Sequence, residues 1–346
     1  MVEDICIRQL QESDLPTADR ILRLAFGTFV GLPDPTSFFG DVDIVRTRFL
    51  ANPSATLAAE LNGELVGSNF VTNWGSVGFF GPLSVRPDLW DRGVAKRLLE
   101  STIKLFDKWG TKYAGLFTFS DSPKHIGLYQ KFGFWPWFLT AIMSKSVVTA
   151  DQTITTTIRR GGGGGGNEIA LPWSKYSELS EEEQIECLNV CRILTDSIYE
   201  GLDLKHEISA VNTQRLGDTV LLWERNDDDA GEGTKSLRRR RLMGLAVCHC
   251  GARSEAGSNT CYVKVGAVQP GNNAAEFFGQ LLNVCEELAR AQGMSRLVAG
   301  VNTGRHEAYR KMITHGFRTD IHGVAMQRYN EPGYNRPDVY LIDDWR

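Results

Sequence analysis

The chain is predicted to be an α/β protein of the α+β type, built as two tandem units, each a mixed, mostly antiparallel sheet flanked by helices. Three observations predict this: a length of 346 residues, a run of six glycines from Gly161 to Gly166, and strand and helix periodicities in the first half that return in the second. The length exceeds one ordinary core and fits two of roughly 150 residues each. A glycine run holds a fixed backbone only at high entropic cost, so residues 151–167 are expected to be a linker between units at 1–150 and 168–346.

Within the first unit, Ile5-Cys6-Ile7 suggests a short strand, and Ser13-Asp14 opens an amphipathic helix reaching residue 26. A second helix is expected over 44–50. Alternating patterns at 56–61 and 64–72 read as strands joined by Asn62-Gly63, a strong hairpin signal. A third strand of this meander is expected at 78–85. A long helix (92–109), a strand (114–119), a short helix (123–132) and an apolar strand (137–143) complete the unit.

The second half repeats landmarks of the first at a fixed offset. Val268 follows Val85 by 183 residues, and the same offset sets Leu281-Leu282 on Leu98-Leu99 and Gly316-Phe317 on Gly133-Phe134. Upstream, Leu242-Met243-Gly244 resembles Leu65-Val66-Gly67 at an offset of 177. The later copy therefore carries six extra residues in its hairpin loop.

Composition narrows the function classes. The chain is 42% apolar and 23% charged with a net charge of −4, which favours neither nucleic acid nor an anionic membrane as partner. No apolar run is long enough to span a bilayer, and Met1-Val2-Glu3-Asp4 lacks the layout of a secretion signal, so a cytoplasmic protein is expected. The seven cysteines are an odd, scattered set that argues against a disulfide framework. Cys187 and Cys191 are four apart in a helical pattern, and Cys248-His249-Cys250 lies in a strand pattern that turns the histidine away from both thiols. These are expected to be core residues, not metal ligands, and no metal is expected. The stretch 226–236 and the basic run at Arg238 to Arg241 are expected to form a solvated loop balanced by Asp227, Asp228 and Asp229.

The chemistry is expected where the third strand meets the long helix: Val85-Arg86-Pro87-Asp88-Leu89-Trp90-Asp91-Arg92-Gly93-Val94-Ala95-Lys96-Arg97. A strand entering a helix through small residues leaves successive backbone N–H groups pointing one way, with the helix dipole behind them. That is an anion site suited to a pyrophosphate. Gly93 and Ala95 allow close approach, and Arg92, Lys96 and Arg97 add positive charge.

Thirty-seven residues after Arg92 stands Tyr129, within Leu128-Tyr129-Gln130-Lys131-Phe132-Gly133-Phe134. The two segments together resemble the GNAT superfamily of acyl-CoA N-acyltransferases. Its pyrophosphate motif, arginine or glutamine followed by x-x-glycine-x-glycine or alanine, is similar to Trp90 to Ala95, with Trp90 departing at the first position. Its later tyrosine and glycine-phenylalanine pair are matched by Tyr129, Gly133 and Phe134. Where many members carry asparagine, seven residues before that tyrosine, this chain has Ser122, which with Pro123 makes a helix cap. The resemblance spans residues 5–147.

It implies direct attack of a primary amine on the thioester of acetyl-CoA, through a tetrahedral intermediate and without a metal. The implied cofactor contacts are Arg92, Gly93, Val94, Ala95, Lys96 and Arg97 for the pyrophosphate, backbone at Leu83 and Val85 for the pantetheine arm, and Ser122. Tyr129 is the implied proton donor to the leaving thiolate; its other reading is an aromatic core residue on an amphipathic helix. Glu60, Asp121 and His125 are polar candidates for the base, none singled out. Residues 31–41 read either as the recognition element for a cationic or amphipathic amine or as a structured loop with two buried phenylalanines. The acceptor is a small-molecule amine or a protein lysine, and the alternative to an enzyme is a non-catalytic acyl-CoA sensor or scaffold.

The second copy departs at the same positions. The 183 offset places Glu276 on Gly93, Phe278 on Ala95 and Met312 on Tyr129, with Tyr309 a weak substitute one turn earlier. Glutamate repels a pyrophosphate and phenylalanine takes its space, so this unit is expected to be degenerate and to support the first. The aromatic closing segment, 334–346, is expected to pack across one of the sheets.

Overall fold

Turn and cap chemistry fixes the first elements in the computed structural model, which describes residues 5–148, 170–225 and 240–346. The expected linker and the acidic loop at 226–236 lie outside the described residues. Asn62 and Gly63, with φ of 53° and 82°, join β2 (Thr56–Leu61) to β3 (Glu64–Trp74) in the primed-turn geometry their sequence favours. Before them come β1 (Cys6–Gln9), α1 (Leu15–Phe29) and α2 (Ile44–Ala51). Leu15, Ala18, Ile21, Leu22 and Ala25 give α1 one buried face at helical spacing. After the hairpin follow β4 (Val77–Phe80), β5 (Ser84–Val85), α3 (Val94–Trp109), β6 (Tyr113–Phe119), α4 (Pro123–Gln130) and β7 (Phe134–Ser146).

The second half comprises β8 (Trp173–Lys175), α5 (Glu181–Ile198), α6 (Lys205–Gln214), β9 (Gly217–Trp223), β10 (Leu242–Gly251), β11 (Gly257–Val268), α7 (Ala274–Ala291), β12 (Arg296–Asn302), α8 (His306–Thr314), β13 (Arg318–Arg328) and β14 (Leu341–Asp343). With β4 and β5 counted as one interrupted strand, the element order of the first half recurs, and β14 is added. Both ends of β12 lie 183 residues after those of β6, the offset read from the sequence.

The mixed, largely antiparallel sheet flanked by helices agrees with expectation; its connectivity adds something periodicity does not carry. One 14-stranded sheet runs β1-β2-β3-β4-β6-β13-β7-β12-β11-β10-β9-β8. Each half sends its last long strand into the other. β13 pairs with β6, β7 pairs with β12, and the two exchanged strands pair with each other at the centre. A core cluster also joins the halves, with Trp74, Phe79 and Tyr113 packed among Cys191, Leu194, Ile208, Val211 and Trp345. Cys187 and Cys191 share one buried face of α5, and Cys248 packs into the core opposite to His249, as their spacings predict.

The third meander strand differs from the expected continuous 78–85. It stops at Phe80 and resumes at Ser84, because Pro82 has no N–H to give the ladder. β4 pairs with both β3 and β6, whereas among the described residues β5 pairs with β3 alone. The long helix begins at Val94 instead of residue 92, with Gly93 in the left-handed region at φ 86° as its cap.

A buried ionic network fills the seam between the halves. Glu255 binds Arg48 and Lys264 at 2.7 Å each, Lys264 binds Glu207 at 2.8 Å, and the Trp74 indole donates to Glu207 at 3.2 Å. His249 Nδ1 accepts from the Glu255 N–H at 3.3 Å. Burial pushes the His249 imidazole down to about 4, against an ordinary 6.5. It is therefore neutral in the folded chain over a range in which the unfolded chain protonates it. Its stabilising contribution is complete above pH 6.5 and is lost as pH falls to about 4, at roughly 1.4 kcal/mol per unit, or about 3 kcal/mol in all. Urea unfolding at stepped pH is expected to display this slope in the wild type and a flatter one in His249→Gln.

Candidate active site

A gap in the sheet forms where β5 leaves β4's line. β4 pairs in parallel with β6 only from Val77↔Tyr113 to Phe80↔Leu116. Beyond the break at Gly81-Pro82, the strand keeps β3 as its partner and leaves β6, with Ser84 opposite Ser68 and the Arg86 N–H on Val66 O at 2.9 Å. Successive residues of a strand present their backbone groups to opposite edges, so Leu83 and Val85 face away from β3 and into the gap. On its far side, β6 runs on through Phe117 to Phe119 with no partner on that edge among the described residues. Trp90, the departure at the head of the motif, donates its indole N–H to Val85 O at 2.8 Å. The Val85 N–H and both backbone groups of Leu83 stay directed at the gap.

At one end of the gap lies the turn into α3. Gly93 accepts the Arg97 N–H at 3.2 Å, and the N–H groups of Val94, Ala95 and Lys96, in the first helical turn, precede the intrahelical ladder. A Cβ added at Gly93 meets nothing within 4 Å, so the space over the turn is open. Arg92, Lys96 and Arg97 are exposed around it, the last two within 4.0 and 3.3 Å of Glu100. The structure adds Lys124, which no motif singled out: from α4 it reaches Asp91 at 2.9 Å and lies over the Trp90 ring at 5.6 Å.

At the other side stands α4. Ser122 is buried and caps the helix, its hydroxyl 2.8 Å from His125 Nδ1 and accepting the His125 N–H at 3.5 Å. That hydroxyl is committed to the helix start. Tyr129 packs edge-on against Phe80, with ring centroids 5.8 Å apart, in a cluster with Leu98, Leu116 and Phe134. Burial raises its phenol well above the ordinary value, so it is neutral at physiological pH, and its hydroxyl makes no hydrogen bond among the described residues. The ring is thus a core residue and the hydroxyl an unspent donor.

The polar base candidates separate. Glu60 is held by Arg8 at 2.8 Å on β2, near the outer edge of the sheet and away from the gap. Asp121 is exposed at the β6–α4 turn. His125 is half-buried, its imidazole shifted down by burial and by Lys124, and it packs on Phe29 at 4.8 Å. The stretch 31–41 is a tied loop: Arg23 donates to the carbonyls of Phe38, Gly40 and Val42, Asp34 receives the Thr36 N–H, and Asp41 binds Ser258 of the second half. Phe38 and Phe39 are half-buried and pack on Phe26, which fits the structured-loop reading of this stretch.

The equivalent gap in the second half is filled by the chain itself. β11 pairs with β12 from Thr260↔Arg296 to Val263↔Ala299; beyond that, β14 pairs antiparallel with Val265, Gly266 and Ala267. At the 183 offset these three residues correspond to Pro82, Leu83 and Ser84. Arg305 corresponds to Ser122; fully buried, it binds Asp343 of β14 at 2.6 Å, and the Tyr334 hydroxyl donates to the same carboxylate at 2.5 Å. Phe278 and Met312 are buried core residues, and Glu276 lies in the first turn of α7. The closing segment therefore does more than pack on a sheet: β14 joins one, and Trp345 covers Gly115, where a Cβ would collide with its ring.

Among the described residues no helix is long and apolar enough to cross a membrane. Residues 19–134 match the acetyltransferase (GNAT) family. An acetyltransferase of Pectobacterium atrosepticum is 34% identical over 91 residues, 26% of this chain and 64% of that relative, so the match spans less than two thirds of the relative's length. Among solved structures, a Pyrococcus horikoshii protein carrying an acetyltransferase name has a TM-score of 0.60 at 13% identity, with 99% of this chain and 95% of that one covered. A GCN5-related N-acetyltransferase from Sphaerobacter thermophilus has a TM-score of 0.52 at 11% identity, over 94% and 95% of the two chains. At such identities the likeness is one of fold.

Proposed function

Since residues 19–134 are a GNAT-family acetyltransferase domain, we propose that the chain is a cytoplasmic N-acetyltransferase that moves the acetyl group of acetyl-CoA to a primary amine at the gap between β5 and β6. The observation that carries this reading is the contrast between two equivalent gaps. The first is open beside an unspent phenol and an open glycine turn; the second is filled by β14.

The roles follow from position. Val94, Ala95 and Lys96 N–H groups, with Arg92, Lys96 and Arg97, hold the pyrophosphate. Leu83 and the Val85 N–H pair with the amide-bearing arm as a further strand would. Ser122 shapes the site through the α4 cap and its hold on His125. The amine nitrogen forms the new N–C bond, the C–S bond breaks, and Tyr129 gives its proton to the leaving thiolate, recovering it from the nitrogen through solvent. The half at 168–346 serves as structural support.

Titration calorimetry with acetyl-CoA is the test, together with thiol release on an amine panel. One equivalent bound per chain and amine-dependent release are expected. Absence of saturable binding overturns the reading, and two equivalents overturn the filled second gap.

A further inference from the structure

We infer that the acceptor is a monoamine carried on an aromatic or compact apolar body, recognised by a ring cluster that bridges the mouth of the first gap. This deepens the proposed acetyl transfer and rests on it.

α1 packs on β3 and β5, one wall of the gap, while Phe119 ends β6, the other wall. Phe26 and Phe29 of α1 reach across to Phe119, at centroid distances of 6.3 and 5.1 Å. Phe38 stacks on Phe26 at 5.6 Å, and His125 closes on Phe29 from α4 at 4.8 Å. By strand alternation Phe119 faces away from the side that Leu116 shares with Tyr129, so the rings occupy the face opposite α3 and the phosphate turn. A molecule approaching from that face meets rings first. Phe29 is 38% exposed and Val30 beside it 43%, so the cluster offers open apolar surface.

Charge sets the second half of the specificity. Asp19, Asp41 and Asp43 line one pocket together with Arg23, Arg46 and Arg253, so arginines already balance them, Asp19 binding Arg23 at 2.7 Å. Asp121, two residues beyond Phe119, is exposed and has no ion-pair partner among the described residues. One carboxylate beside a wall of rings suits one ammonium on an apolar body. It does not suit a polyamine or a basic peptide, each of which brings several charges.

The experiment compares 2-phenylethylamine, spermidine and a lysine-containing peptide as acceptors for the full chain with acetyl-CoA, reading thiol release. The expected kcat/KM for 2-phenylethylamine exceeds the others by roughly tenfold or more. Phe119→Ala and Phe29→Ala each lower that value by about tenfold, through KM, with the acetyl-CoA Kd unchanged. Phe119→Leu, which keeps an apolar side chain at this half-buried position, recovers part of the loss and controls for folding. Preference for spermidine or the peptide, or Ala variants that leave the aromatic amine unaffected, overturns this inference while the acetyl transfer stands. A chain that binds no acetyl-CoA and turns over no amine overturns both.

Discussion

Tyr129→Phe is expected to lower kcat by roughly a hundredfold to ten-thousandfold, the range usual for loss of a positioned proton donor, and to leave acetyl-CoA affinity unchanged. The substitution is clean because of how the side chain is held. Its ring is fixed by Phe80 and the surrounding cluster, and phenylalanine keeps those contacts. Its hydroxyl has no hydrogen-bond partner among the described residues to be stranded, so folding stability is expected to stay within about 1 kcal/mol. Burial holds the phenol protonated well into alkaline pH, so the donor form is present throughout the neutral range. Steady-state thiol release, calorimetry and thermal unfolding together read the three quantities. Unchanged turnover removes Tyr129 from the chemistry, and a chain that binds acetyl-CoA without turnover is the non-catalytic sensor or scaffold instead.

Much of this site was legible because it is local. Asn62-Gly63 dictates its own hairpin, and the entry into α3 was visible as small residues flanked by arginine and lysine; the left-handed Gly93 cap is the conformation that glycine permits. The 183 offset read from the sequence recurs in the structure at β6 and β12, whose ends match it to the residue. What escaped is non-local. The apolar pattern of β7 is the same whether it lies beside β6 or crosses to β12, so strand exchange leaves no trace in periodicity. The filling of the second gap had one signal, a long arginine at 305 where the first copy has Ser122, but its meaning depends on Asp343 arriving 38 residues later. Trp90 stands in the sequence only as a departure from the motif, because its indole reaches Val85 O only in the folded turn. His249 was read correctly as turned away from its flanking thiols, but the ions it faces come from three separate elements.

That ionic network sets the largest expected stability effect. Glu255→Ala is expected to destabilise the chain by about 3–5 kcal/mol, the cost usual for breaking a buried ion pair from one side. Burial alone would raise the Glu255 carboxyl, but Arg48 and Lys264 outweigh it and hold the group well below the ordinary carboxylate range. This contribution is present above the ordinary carboxylate value of 4.5 and is lost as pH falls below it, starting at the acid end of the window in which His249 acts. Both cations are nearly as buried as Glu255, so its removal leaves the two with Glu207 as their remaining carboxylate neighbour. Arg48 also donates to the carbonyl of Gly81, at the break where β5 leaves β4, so the same substitution is expected to raise KM for acetyl-CoA. Replacing Arg48 and Glu255 together by Met and Leu removes the orphaned charge, and Lys264 keeps its 2.8 Å partner in Glu207. The double variant is therefore expected to be more stable than Glu255→Ala alone, and urea unfolding at pH 7 of the two chains decides it. Equal stability would mean that packing at the seam between the halves, rather than charge compensation, sets the cost.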